Sequence, residues 1–151
     1  GSGWFERDYV EYGYEFGTVG GRLDALAENL PVIRDRWTKL NPAPTRDIPI
    51  LIGGGGEKKT LRIVAQHADI WHSFADVPTL ERKLGILAEH GAAVGRDVSE
   101  IEISVEIRER SMADADALHA AGATLFTLGL DGPAFDMAPV REWLSWRDGH
   151  R

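Results

Sequence analysis

The chain has no cysteine. Disulfides, thiolate nucleophiles and Cys-ligated zinc are therefore excluded as sources of stability or chemistry. Long apolar runs are missing too: none approaches the roughly 18 to 20 residues of a membrane-spanning helix. The N-terminus lacks the basic-then-apolar pattern of a secretory signal, so a soluble, cytoplasmic protein is the expectation. Basic charge is scarce, with 17 Lys and Arg against 24 Asp and Glu, a net −7. Nucleic-acid binding needs a clustered basic face, so no such partner is expected, and any anion must be held by a local feature. His67, His90, His119 and His150 fall on helical stretches or at the terminus without metal-ligand spacing, and no metal site is expected. At 151 residues the chain suffices for one domain with a core, but not for a whole (β/α)8 barrel, which takes about 250.

What is present is an alternation of strand-like and helical runs, the pattern of an α/β fold with parallel strands. After a short segment over 7–16, Leu23, Leu26, Leu30, Ile33, Trp37 and Leu40 recur every three or four residues and predict one long helix. Pro31 inside it removes a backbone hydrogen bond and predicts a kink or break. Residues 1–48 thus form an N-terminal helical segment of a single domain 1–151, and residues 49–151 carry four β/α units. Strand 49–52 leads through glycines into helix 57–67, and strand 69–73 into helix 79–94. Strand 100–108 alternates Ile101, Ile103, Val105 and Ile107 with Glu102, Ser104, Glu106 and Arg108, which puts the polar set on one face. Helix 113–121, strand 123–129 and helix 135–146 complete the chain.

The richest feature lies between the first strand and its helix. Ile50-Leu51-Ile52 runs into Gly53-Gly54-Gly55-Gly56-Glu57-Lys58-Lys59-Thr60. Glycines admit positive φ and bring amides close to a ligand, and the free N–H groups of a helix start favour a phosphate. The Thr60 hydroxyl and one of the two lysines add donors. The lysines point about 100° apart on a helix, so which of them faces the anion stays open, although Lys58 reads as solvated surface. The run fits neither G-x-x-x-x-G-K-[ST] nor G-x-G-x-x-G, because Lys58 stands where each requires glycine. By motif alone it is equally a flexible strand-to-helix turn.

Its surroundings say more. From Ile48, IPILIGGGGEKKTLRIVAQHADIW resembles the luciferase-like flavin and deazaflavin oxidoreductases, TIM-barrel enzymes whose fifth strand ends in such a glycine loop and whose sixth carries A-D-x-W, here Ala68-Asp69-Ile70-Trp71. Gly1-Ser2-Gly3-Trp4-Phe5, Tyr9, Glu11-Tyr12-Gly13, Phe16 and Arg22 are similar to the family's segment after strand four. The likeness is greatest to a branch of F420-dependent oxidoreductases and covers residues 1–75, continuing beyond only as β/α rhythm.

The resemblance implies parallel β/α units forming half of a TIM-type barrel, strands five to eight. It implies a cofactor-phosphate site at Gly53, Gly54, Gly55, Gly56, Glu57, Lys59 and Thr60, with coenzyme F420 as cofactor and FMN as the alternative. Trp71, Trp4 and Phe5 would lie near the mouth where active sites of this fold gather, Trp71 toward the cofactor ring and Trp4 and Phe5 lining the substrate pocket. Tyr9 and Tyr12 read as packing residues. His72, at the strand end beside Trp71, is the histidine placed for proton transfer, although a hydrogen-bonded structural role competes with it. Glu106 either faces the barrel interior or is an exposed surface charge. The implied activity is hydride transfer between deazaflavin or flavin and a small organic substrate. The family's first four strands, with much of the ring-facing site and an unusual non-proline cis peptide, would lie outside this chain. A half barrel leaves two edges and an inner face unclosed, so it should associate with a second copy or with the missing half. The competing expectations are a catalytically silent half barrel that self-associates and a phosphate-binding module unrelated to flavins.

Overall fold

In the strands, residues facing the helices are, Ser73 excepted, aliphatic or aromatic at every second position, and these form the core. Ile52, Trp71, Ile103 and Val105 are buried together with Leu61, Val64, Leu80, Leu87 and Leu118 from the covering helices. The computed structural model describes residues 1–107 and 111–150. Its elements are α1 (Glu6–Tyr12), α2 (Val19–Trp37), β1 (Leu51–Gly53), α3 (Thr60–His67), β2 (Ile70–Ser73), α4 (Val77–Val94), β3 (Glu102–Glu106), α5 (Met112–Ala120), β4 (Leu125–Thr127) and α6 (Ala138–Asp148). The strands form one parallel sheet in the order β1-β2-β3-β4. The β/α alternation expected from sequence is therefore present, as a partial TIM-type arrangement with helices on one side.

Register fixes which residues share the other face. Gly53 lies opposite His72, His72 opposite Ser104, Ser104 opposite Leu125 and Glu106 opposite Thr127. Leu51 belongs to that face and is 46 % exposed, while Ile52 beside it is buried. The polar set of β3 is less uniformly wet than its alternation suggested. Glu102 is exposed, but Ser104 is fully buried and its hydroxyl lies 2.9 Å from His72 Nδ1. Arg108, the last residue of the expected strand, lies outside the described residues.

Several local expectations are corrected. Helix α2 continues through Pro31, so the break, one of the two outcomes expected there, does not occur: Leu30 is buried and Leu23, Leu26 and Trp37 pack on the core. The helix expected from Glu57 begins at Thr60. Residues 57–59 form a turn, with the Leu61 amide donating to the Gly56 carbonyl at 2.9 Å. The last helix starts at Ala138 rather than at Phe135, where φ is +43°. The Asp136 carboxylate accepts the Ala138 amide at 2.9 Å, and Trp146 of α6 meets Phe126 of β4 edge-on at 5.0 Å between ring centres.

The Ala68-Asp69-Ile70-Trp71 run secures both ends of β1, a strand of three residues. Asp69 Oδ2 accepts the Ile50 amide at 2.7 Å and the Arg34 guanidinium of α2 at 3.2 Å. At the other end Trp71 Nε1 donates to the Gly54 carbonyl at 2.8 Å. The loop after β1 is thus held from beneath by a fully buried indole.

Candidate functional site

The glycine loop leaves β1 at the C-terminal end of the sheet, the end at which α/β folds place their ligands. Gly54 has φ +125°, a left-handed value suited to glycine; its amide donates to the His72 carbonyl at 3.2 Å. Beyond it the chain turns so that, among the described residues, the amides of Gly55, Gly56 and Glu57 have no hydrogen-bond acceptor. Three successive unpaired N–H groups make an anion cradle. A Cβ on Gly56 would stand 2.7 Å from Thr60 Oγ1, and a Cβ on Gly55 would occupy the place of the Lys83 ammonium. Thr60, at the first position of α3, is buried and keeps its hydroxyl against the loop. These features fit a phosphate.

Helix α4 clamps the same loop. The Arg82 guanidinium pairs with the Glu57 carboxylate, and His90 Nε2 lies 2.8 Å from the Glu57 carbonyl. A carbonyl only accepts, so His90 carries its proton on Nε2. Lys59 turns away from the cradle and pairs with Asp24 of α2 at 2.7 and 2.9 Å. Lys58 is exposed. Of the cations around the loop, the one that reaches Gly55 is Lys83, which sequence reasoning missed. Its signal was faint: Thr79 and Lys83 are spaced i, i+4 on α4, in line with Asp76 at the helix's N-cap. Gly54, Gly55, Ser73, Phe74, Ala75, Asp76, Thr79 and Lys83 line an open pocket of about 460 Å³ beside the cradle.

The other expected site residues are spread more widely. Gly53 ends β1 on the inner face, next to His72. Trp71 presents no ring surface to a ligand, because the indole is buried on the helix side and acts on the loop through Nε1. Trp4 is 83 % exposed and Phe5 45 %, with ring centres 5.4 Å apart. Their segment is tied to α2 by Arg22, which donates to the Gly3 carbonyl at 2.8 Å and to the Phe16 carbonyl at 2.9 Å while stacking 3.7 Å over the Phe16 ring. Gly1 approaches the Gly53 carbonyl, so this segment lies beside the start of the glycine loop.

His72 stands half-buried on the inner face between Gly53 and Ser104. Its ring meets Phe74 edge-on at 5.1 Å. Burial lowers its pKa below the ordinary 6.5, and the negative charge of Glu106 opposes that shift. Glu106 accepts the Thr127 hydroxyl at 3.4 Å. The imidazole, Ser104 hydroxyl and Glu106 carboxylate thus share one face of the sheet.

A family model described as luciferase-like monooxygenase matches residues 1–126. The chain belongs to this family. A solved structure of an F420-dependent secondary alcohol dehydrogenase, in complex with an F420-acetone adduct, is similar at a TM-score of 0.56 and 15 % sequence identity. The similarity covers 89 % of this luciferase-like chain and 55 % of the dehydrogenase chain, so the chain spans little more than half the length of that neighbour. At that identity the likeness speaks for the fold. No curated protein matches the chain. No described helix is long and apolar enough to cross a membrane.

Proposed function

We propose that this chain supplies the phosphate-binding half of an F420-dependent oxidoreductase, with FMN as the alternative cofactor. The observation that carries the proposal is the set of unpaired amides at Gly55, Gly56 and Glu57, at a strand's C-terminal end, in a member of the luciferase-like family. The deazaflavin or flavin ring, when bound, supplies the hydride chemistry with a small organic substrate. The chain's own residues bind and orient. The amides and the Thr60 hydroxyl hold the cofactor phosphate, Trp71 fixes the loop's height above the sheet, and Trp4 and Phe5 offer apolar surface to the substrate. His72 is the candidate for holding or moving a proton, with Ser104 against its Nδ1.

The open sheet face calls for a cover, and we propose the complementary four-stranded half of the barrel, acting in the cytoplasm. Titration of the protein with F420 and with FMN, followed by fluorescence, tests the cofactor assignment. Saturable binding of F420 is the expected result, and the absence of binding to either cofactor, by this chain and by a chain carrying all eight strands, refutes it. A second reading, a silent half barrel that self-associates, is favoured by the exposure of Leu51 on the uncovered face. Light scattering with a turnover assay separates the two, since a stable inactive dimer supports only the second.

A further inference from the structure

We infer that Ser104 is a positioning residue that holds His72 as the Nε2–H tautomer, so that a ligand on the inner face meets a neutral hydrogen-bond donor and not a base. The inference rests on the reading of His72 as the group that faces the substrate, and it gives that reading a direction. Ser104 is fully buried in the middle of β3. Among the described residues the one hydrogen-bond partner of its hydroxyl is His72 Nδ1, at 2.9 Å. A hydroxyl has one proton to give. Were Nδ1 the donor, that proton would be left without an acceptor in a place that water does not reach, the costly way to bury a polar group. The hydroxyl therefore donates to Nδ1, and in the neutral ring the proton stands on Nε2.

The second nitrogen is placed for use. His72 Nε2 has no hydrogen-bond partner among the described residues, where no buried side-chain nitrogen or oxygen goes unpaired, so Nε2 is open to the inner face. His72 lies opposite Gly53 in register and its carbonyl accepts the Gly54 amide. This N–H therefore emerges beside the glycine loop, at the sheet end where ligands of this fold gather. The Ser104 hydroxyl and the edge-on Phe74 ring together fix the plane of the imidazole. Burial lowers the His72 pKa against the opposing charge of Glu106, which favours the neutral ring. A neutral imidazole polarises a carbonyl through its N–H without bringing a charge into the site. With Nε2 protonated and Nδ1 occupied by Ser104, it has no free lone pair with which to take a proton from a hydroxyl. The ligand atom that fits it is a carbonyl oxygen, of the substrate or of the cofactor ring.

The test is the long-range proton–nitrogen correlation spectrum of the imidazoles in the intact chain, recorded without cofactor at a pH above the His72 transition. Two other histidines calibrate it. His90 Nε2 lies 2.8 Å from the Glu57 carbonyl and His119 Nδ1 lies 3.0 Å from the Ala123 carbonyl, so neutral His90 shows the Nε2–H pattern and neutral His119 the Nδ1–H pattern. The expected result for His72 is the Nε2–H pattern. Ser104→Ala should shift its Nδ1 resonance toward that of an imidazole nitrogen that accepts no hydrogen bond, with His90, His119 and the circular dichroism unchanged. His72 in the Nδ1–H form, an even mixture of the two forms, or an Nδ1 resonance that Ser104→Ala leaves in place overturns the inference; should the variant not fold, the tautomer of the unaltered protein decides. A shift of His72 Nε2 on adding F420 alone identifies the carbonyl as the cofactor's, and a shift that needs added acetone identifies it as the substrate's. Binding of F420 with no shift of Nε2 in either case overturns the donor role. The cofactor proposal fails separately, when neither F420 nor FMN binds while His72 shows the Nε2–H pattern.

Discussion

Replacing Trp71 with phenylalanine should destabilise the protein by about 2–3 kcal/mol. The magnitude has two parts. The indole N–H donates to the Gly54 carbonyl across 2.8 Å, and a neutral hydrogen bond of this kind contributes about 1 kcal/mol net. The side chain is fully buried among Ile52, Val64 and their neighbours, so trimming the indole to a phenyl ring leaves a small void, with a cost of about 1–2 kcal/mol. For a chain of this size the sum corresponds to a fall in Tm of about 5–10 °C. Urea unfolding followed by circular dichroism reads the change as a lower midpoint at constant slope. Trp4→Phe is the control: Trp4 is 83 % exposed, and its replacement should move the midpoint by less than about 0.5 kcal/mol. A Trp71→Phe change as small as the control's would refute the view that this indole fastens the loop.

Other outcomes follow from the same geometry. Gly54→Ala forces a Cβ onto a φ of +125° and should cost about 1–3 kcal/mol in urea unfolding, whereas Gly55→Ala only displaces the flexible end of Lys83 and should leave stability nearly unchanged while weakening anion binding. Asp69→Ala leaves the Ile50 amide without its acceptor and removes one of the Arg34 partners, and should destabilise by about 1–3 kcal/mol; a neutral result would contradict its role at the start of β1. Burial lowers His72, and burial with Arg34 and Arg96 lowers His67, both below 6.5. The unfolded chain therefore binds more protons just below pH 6.5, so stability is complete above that value and declines as pH falls toward the folded pKa values. Imidazole NMR titration should place His72 below 6.5 and lower still in Glu106→Gln, which removes the opposing charge; a midpoint above 6.5 would contradict the burial.

The β/α order, the parallel strands and the glycine loop were legible because each rests on local pattern: period-two alternation at Ile101 to Ile107, three- and four-residue spacing in α2, and glycines at a strand end. The start of α3 was not, since the turn at 57–59 is bounded by Arg82 and His90 from another helix, partners 25 and 33 residues away that no local pattern shows. The same distance hid Lys83 and misdirected Lys59, whose partner Asp24 lies 35 residues upstream. Trp71 was recognised by motif, but only the three-dimensional arrangement separates a ring that faces a ligand from one that props up a loop. Pro31 shows the reverse case, a local signal for a helix break that packing along α2 overrides.

The central claim is that the unpaired amides of Gly55, Gly56 and Glu57 hold the phosphate of a deazaflavin or flavin cofactor. Amide spectra of the protein recorded during addition of F420 test it most directly. The account predicts saturable shifts concentrated at these three amides and at Thr60, with Gly13 and Gly149, far from the loop in sequence and in no contact with it, unmoved. Saturable F420 binding that leaves the three amides where they were would contradict it.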